Sequence, residues 1–271
     1  MSALFAPLKI RDTEFQNRVW VSPMCQYMAT DGHVGPWHQA HIGAFATGAP
    51  GLIMVEATGV TPEGRISIAC PSIEDDAHAM SFKPMIDFAH SLNVKMGIQL
   101  AHAGRKASTM RPWDDHLIAT PEEGSWQTVS ASPIAYNNMP APKELTIDEI
   151  NQLTKQFGIA AKRAESAGFD VIEIHAAHGY LLHQFYSPLT NHRTDQYGGP
   201  RENRARFLRE IIRANPLFQQ HVAYFARKID VSNPYALADF AASLTTLDAK
   251  DLQDVLETVE LQPRLRKALL L

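Results

Sequence analysis

The chain is predicted to be an α/β protein of parallel strands followed by an all-helical tail, and three features of the sequence carry that prediction. Over the first 200 residues, short apolar runs bounded by Gly, Pro or Asn alternate with helical stretches. Such strand–helix–strand spacing implies parallel strands joined by right-handed crossovers. All 15 glycines lie at or before Gly199, so the chain changes style near residue 210. Beyond that point apolar residues recur at helical spacing and no further strand is readable.

Four strands are expected, at 19–24, Leu52–Gly59, 96–101 and 170–175, each rich in β-branched or apolar residues. Helices are expected between them at 37–47, about 76–92 and 146–167. The last opens with Thr146 followed by Glu149, the spacing of a capping box, and stops before Gly168. A long loop rich in Pro, Ser and Asn runs from 103 to 145, a length common in functional or lid-like segments. A basic helix is expected at 201–213. In the tail, Phe218, Val222, Phe225 and Ile229 form one apolar stripe. Leu237, Phe240 and Leu244 follow Pro234 as a second, and Asp248 reads as the N-cap of a third helix.

Composition narrows the function. The formal charge of −4 gives no basic footprint for nucleic acid or an anionic membrane. No apolar run approaches the ~18 residues of a membrane span, and the first ten residues have no signal-peptide character. Two cysteines, Cys25 and Cys70, are too few for a disulfide framework. A reducing, cytoplasmic setting is expected.

In a parallel α/β barrel, active groups sit at the C-terminal ends of the strands. Here those ends read Ser22-Pro23-Met24-Cys25-Gln26-Tyr27, Glu56-Ala57-Thr58, Gln99-Leu100-Ala101-His102 and His175-Ala176-Ala177-His178-Gly179-Tyr180. A thiol, a carboxamide, histidines and two tyrosines would share one mouth. The chain has no phosphate loop, HExxH or nucleophile elbow, which argues against metal or serine hydrolysis. His175 and His178 could be half a metal site, but no clustered Cys, His or carboxylate completes it in the sequence, and no metal is expected. Cys25 taken alone reads as a small buried hydrophobe.

Taken together and in order, SPMCQY, VEATGVTPEGR, GIQLAHAGRK, AGFDVIEIHAAHGYLLHQFYSP and NHRTDQYGGPRENRARFLREI resemble the old yellow enzyme family, in its cysteine-containing branch. The resemblance covers residues 1 to about 210. It implies the first half, about four strands, of a (β/α)8 TIM barrel, with FMN as cofactor and NAD(P)H as reductant of activated C=C bonds. It implies that Ser22, Pro23, Met24 and Cys25 lie along the flavin, that Ala57 and Gln99 contact its ring, and that His175 and His178 bind the substrate carbonyl oxygen. Tyr27 would help enclose an enone-type substrate. Two imidazole donors aimed at that oxygen suit the charge that builds there during reduction, and Tyr180 suits protonation of the α-carbon. The partner expected is this small molecule, not nucleic acid or membrane, with a homo-oligomer left open.

The family pattern is left after about Glu210. Four strands, a glycine-lined phosphate site and a flavin-contacting arginine on a fifth strand have no counterpart. Residues 211–271 resemble the N-terminal helical region of Lon protease, through NPLF, NP-x-x-LADF and LQDVLE. None of Lon's ATPase or protease motifs is present. Two readings follow: an ene-reductase by ancestry, or a non-catalytic chimera whose tail is at most a protein-interaction segment.

Overall fold

The computed structural model describes residues 2–214, together with 257, 258, 260, 262–264 and 267. The stripes expected at 218–229, 237–244 and most of 248–259 lie outside the described residues, as does most of the Lon-like segment.

An antiparallel hairpin, β1 (Leu8–Ile10) and β2 (Thr13–Phe15), precedes the sheet. Its two-residue turn puts Arg11 at φ 55. The sequence reading missed it because six residues carry too short an alternation. Then come β3 (Trp20–Val21), α1 (Pro36–Ala46), β4 (Leu52–Gly59), α2 (Asp76–Ser81), α3 (Lys83–Ser91) and β5 (Lys95–Ala101). Two short strands, β6 (Val129–Ser130) and β7 (Lys143–Glu144), pair within the long loop. After them follow α4 (Ile147–Ala167), β8 (Val171–Ile174), α5 (Leu181–Tyr186), α6 (Arg201–Arg204) and α7 (Arg206–Ala214).

The chain thus has an α/β fold, with a parallel sheet in the order β3-β4-β5-β8. Several expected boundaries move. Pairing on the first strand stops at Val21 rather than 24, since Pro23 has no N–H to give a ladder. The 76–92 helix is two helices hinged at Phe82, with Pro84 in the first turn of the second, where its fixed φ is tolerated. The basic helix is interrupted at Ala205. Asp170 lies just outside β8 because its carboxylate accepts from Met96 N–H, His90 and Lys95.

The core lies along the two inner strands. All of β4 is buried, and Met96, Ile98 and Leu100 of β5 are closed off from solvent. Against them α4 turns Ile150, Leu153, Phe157, Ala160, Ala161 and Ala164, one face at helical spacing. Each large apolar side chain so buried contributes about 1.5–3 kcal/mol. The helix is held at both ends as expected. Thr146 Oγ1 accepts from Glu149 N–H, Glu149 accepts from Thr146 N–H, and Gly168 takes φ 107 at the close.

Candidate functional site

Register brings the site together. Across the sheet, Ala57 stands beside Gln99 and Gln99 beside Glu173. A bulge in β4 between Val55 and Ala57 leaves Glu56 as the extra residue. Bulges of this kind re-aim side chains near functional sites. Here Glu56 is buried, accepts from Gln26 N–H (3.0 Å) and lies 3.2 Å from His38 Nε2. That bond anchors the unpaired segment that carries Cys25 and Tyr27.

Cys25, Tyr27 and Tyr180 pack against one buried cluster that includes Ala57, Ala101 and Cys70. Tyr27 sits at φ 54, with its carbonyl accepting from Arg111 Nε (3.0 Å). Ser22 and Met24 are exposed and Pro23 half-buried, and none of the three belongs to this cluster. Gln99 is buried, and its Nε2 donates to Glu173 Oε1 at 2.5 Å.

At the end of β8, His175 N–H donates to the Leu100 carbonyl, which fixes the residue beside the end of β5. Ala177 N–H donates to His175 Nδ1, which leaves the ring proton on Nε2. That nitrogen faces His178 Nδ1 at 3.2 Å. His178, at φ 58, is exposed. Tyr180 stands edge-on to His175, centroids 4.9 Å apart. Burial, then the His178 ring, lowers the His175 pKa to about 4, so the imidazole is neutral at pH 7. Burial and the nearby thiols push the Tyr180 phenol up to about 12. It holds its proton across the physiological range.

Sequence reasoning missed the residues that hold this mouth in shape. Lys106 Nζ donates to the His178 carbonyl (2.7 Å) and lies over the rings of Tyr136 (4.4 Å) and Tyr180 (5.7 Å). Its place in GIQLAHAGRK was the available signal. Buried Gln184 donates to the Ala103 and Gly179 carbonyls and accepts from Ser130 Oγ and Arg105 N–H. A glutamine in a short helix gives no sequence signal of that task. Cys70 gave none either.

Comparison with known proteins fits this geometry. A family model described as "NADH:flavin oxidoreductase / NADH oxidase family" matches residues 3–222. The chain belongs to that family, in which the old yellow enzymes fall. It is 48% identical over 214 residues to an NADH:flavin oxidoreductase of Gibberella zeae, covering 77% of this chain and 52% of that protein. With an NADPH dehydrogenase of Bacillus subtilis it shares 46% identity over 211 residues, covering 77% and 58%. Among solved structures, a morphinone reductase is similar at a TM-score of 0.70 and 31% identity, covering 80% of this chain and 59% of that one. The chain therefore spans about half to three fifths of these relatives. The family uses FMN with NAD(P)H as reductant. No helix among the described residues is long and apolar enough to cross a membrane.

Proposed function

We propose that this member of the family is an FMN-dependent oxidoreductase that reduces the activated C=C bond of an enone with NAD(P)H, and that it carries the first half of a (β/α)8 barrel. The observation that supports the reading most directly is the group of His175, His178 and Tyr180 beside the cluster of Cys25, Tyr27 and Ala57. The ring-facing residues fit a flavin. Ala57 is small, Gln99 carries a donor and an acceptor in one amide, and Cys25 and Tyr27 border the same cluster. Gln99 would address a ring edge after leaving Glu173. When bound, FMN would relay hydride from NAD(P)H to the β-carbon of the substrate.

The chain's own work is at the substrate oxygen. His175 Nε2–H turns from His178 to the carbonyl, and His178, with an exposed side chain, supplies a second N–H. The two N–H groups together stabilise the enolate oxygen. The phenol of Tyr180 delivers the proton to the α-carbon. The roles of Ser22, Pro23 and Met24 along the ring belong to the same reading.

A second reading, a non-catalytic chimera, is favoured by the phosphate end. An FMN phosphate takes backbone N–H donors at a helix N-terminus and a cation. Two of the arginines after Gly198-Gly199 are committed elsewhere. Arg204 donates to the Tyr186 and Gly199 carbonyls, and Arg206 to that of Gln196. A titration of the purified chain with FMN, followed by an NADPH-dependent assay on a cyclic enone, separates the readings. A yellow complex that consumes NADPH only when enone is added supports the enzyme. A colourless protein at saturating FMN supports the chimera.

A further inference from the structure

Cys70 is a second thiol at the strand ends that the proposed chemistry leaves without a task. It is fully buried, whereas Cys25 is half-buried. The two sulfurs and a Glu56 carboxylate oxygen all lie within 4.8 Å of one another, and the thiols are hydrogen-bonded together. Backbone ties hold them as neighbours. Ala29 N–H donates to the Ala69 carbonyl (2.9 Å), Cys70 N–H to that of Ser67 (3.0 Å) and Gly59 N–H to that of Pro71 (2.9 Å). Cys25 itself lies beyond Val21, the last paired residue of β3, in chain that no strand ladder fixes.

The surroundings divide the two thiols into an attacking and a resolving one. The hydrogen bond from Cys70 lowers the Cys25 pKa, against burial and the charge of Glu56. The same bond, with burial, pushes the Cys70 thiol up. Thiolate character and access, which govern attack on peroxides, both fall to Cys25.

We propose that Cys25 and Cys70 are a redox pair that closes into an intramolecular disulfide on contact with a hydroperoxide. The Cys25 thiolate attacks one peroxide oxygen, and the O–O bond breaks. Cys25 becomes a sulfenic acid, and the departing oxygen takes a proton to leave as an alcohol, or as water from hydrogen peroxide. The Cys70 sulfur then attacks the Cys25 sulfur, and the displaced hydroxyl leaves as water with the Cys70 proton. Two thiols lose two electrons, and the peroxide gains them. A small thiol reductant reverses the bond by exchange. Closure takes the Cys25 thiol out of the mouth it shares with Tyr27 and Tyr180. This chemistry does not depend on FMN binding.

The test treats the full-length protein with a few equivalents of hydrogen peroxide, then alkylates it under denaturing conditions. The expected product has no alkylated cysteine, a mass lower by two hydrogens and a Cys25–Cys70 linked peptide, and dithiothreitol restores both thiols. In Cys70→Ser the reaction should stop at Cys25 sulfenic acid, captured by dimedone. In Cys25→Ser, Cys70 should survive the same dose. Unreacted thiols in the wild type, a disulfide between two chains, or Cys25 oxidised beyond sulfenic acid with Cys70 still free would each overturn the pair.

Discussion

His178→Ala removes one of two donors at the proposed carbonyl site while leaving the sheet and its packing intact. Enone turnover at saturating FMN should fall on the order of 10²-fold, the usual loss for one such donor, with FMN affinity unchanged in the same titration. A parallel loss of FMN binding would make His178 a scaffold residue. Histidines also set a pH response of stability. Burial holds His102 and His175 at about 4, below the roughly 6.5 of an unfolded imidazole. Between those values the unfolded chain binds more protons, so stability is complete above pH 6.5 and declines as pH falls toward 4. The fully buried His102 contributes on the order of 1.4 kcal/mol per pH unit in that window, and the less enclosed His175 less than that. The hydrogen-bonded carboxylates act lower: His78 N–H holds Asp75, and chiefly Lys143 holds Glu149, at about 2. His116, raised by Glu123, has the opposite sign, its contribution being lost as pH rises, but its exposure keeps it small. All four tryptophans lie at or before Trp126, so their fluorescence during urea unfolding reads the sheet-bearing unit. The midpoint should drop markedly from pH 7 to pH 4.5, and His102→Gln should flatten the drop. Equal midpoints would contradict the assignment. The histidines, Cys25 and the tyrosines were legible because the motifs place them at strand ends. Their tautomers and the Gln99–Glu173 bond were not, since these depend on contacts between distant segments.

At the scale of elements, local chemistry was the best guide. The 21-residue α4 was readable almost to its ends, because its caps and its apolar stripe are both written in neighbouring residues. Thr146→Ala should therefore cost about 1 kcal/mol, seen in the same urea experiment at pH 7, and Thr146→Ser should restore most of it. An unchanged Thr146→Ala midpoint would show that the Lys143–Glu149 pair (2.5 Å) carries the cap. Less legible were the features fixed by distant neighbours. The strand at 19–24 looked six residues long, but only Trp20 and Val21 find partners, at Leu52 and Ile53. The bulge at Glu56 also escaped, since nothing in VEATG marks an extra residue against a strand 40 positions later. Hinge Phe82 was hidden in a continuous helical pattern, although Pro84 beside it was a signal.

For the whole molecule, the inner strands are closed and the outer ones open: β4 is buried throughout, whereas β8 has no fully buried residue. Together with the phosphate end, this pattern predicts FMN binding no tighter than about micromolar, since losing several charge-assisted hydrogen bonds of ~1.5–3 kcal/mol each weakens affinity by orders of magnitude. Supplying the second half of a related barrel in trans should raise both FMN affinity and enone turnover. Stoichiometric FMN surviving gel filtration of the unmodified chain would count against this. The parallel α/β plan was legible from alternation alone, whereas the ties that hold the long loop at 103–145, read as functional or lid-like, were not. The loop is fastened down, because Gln184 and Arg193 grip it through the Ala103, Ala131 and Leu145 carbonyls and Arg105 through those of Ile134 and Ala135. Grips on main-chain oxygen are indifferent to the side chains between them. The exposed positions Ala135, Asn138 and Ala141 can therefore accumulate substitutions without loosening the loop, whereas buried Met139, and Tyr136, over which Lys106 lies, cannot. The fastening leaves those exposed positions free to drift while the scaffold stays constant. A library randomised there should scatter widely in ligand preference yet cluster tightly in melting temperature.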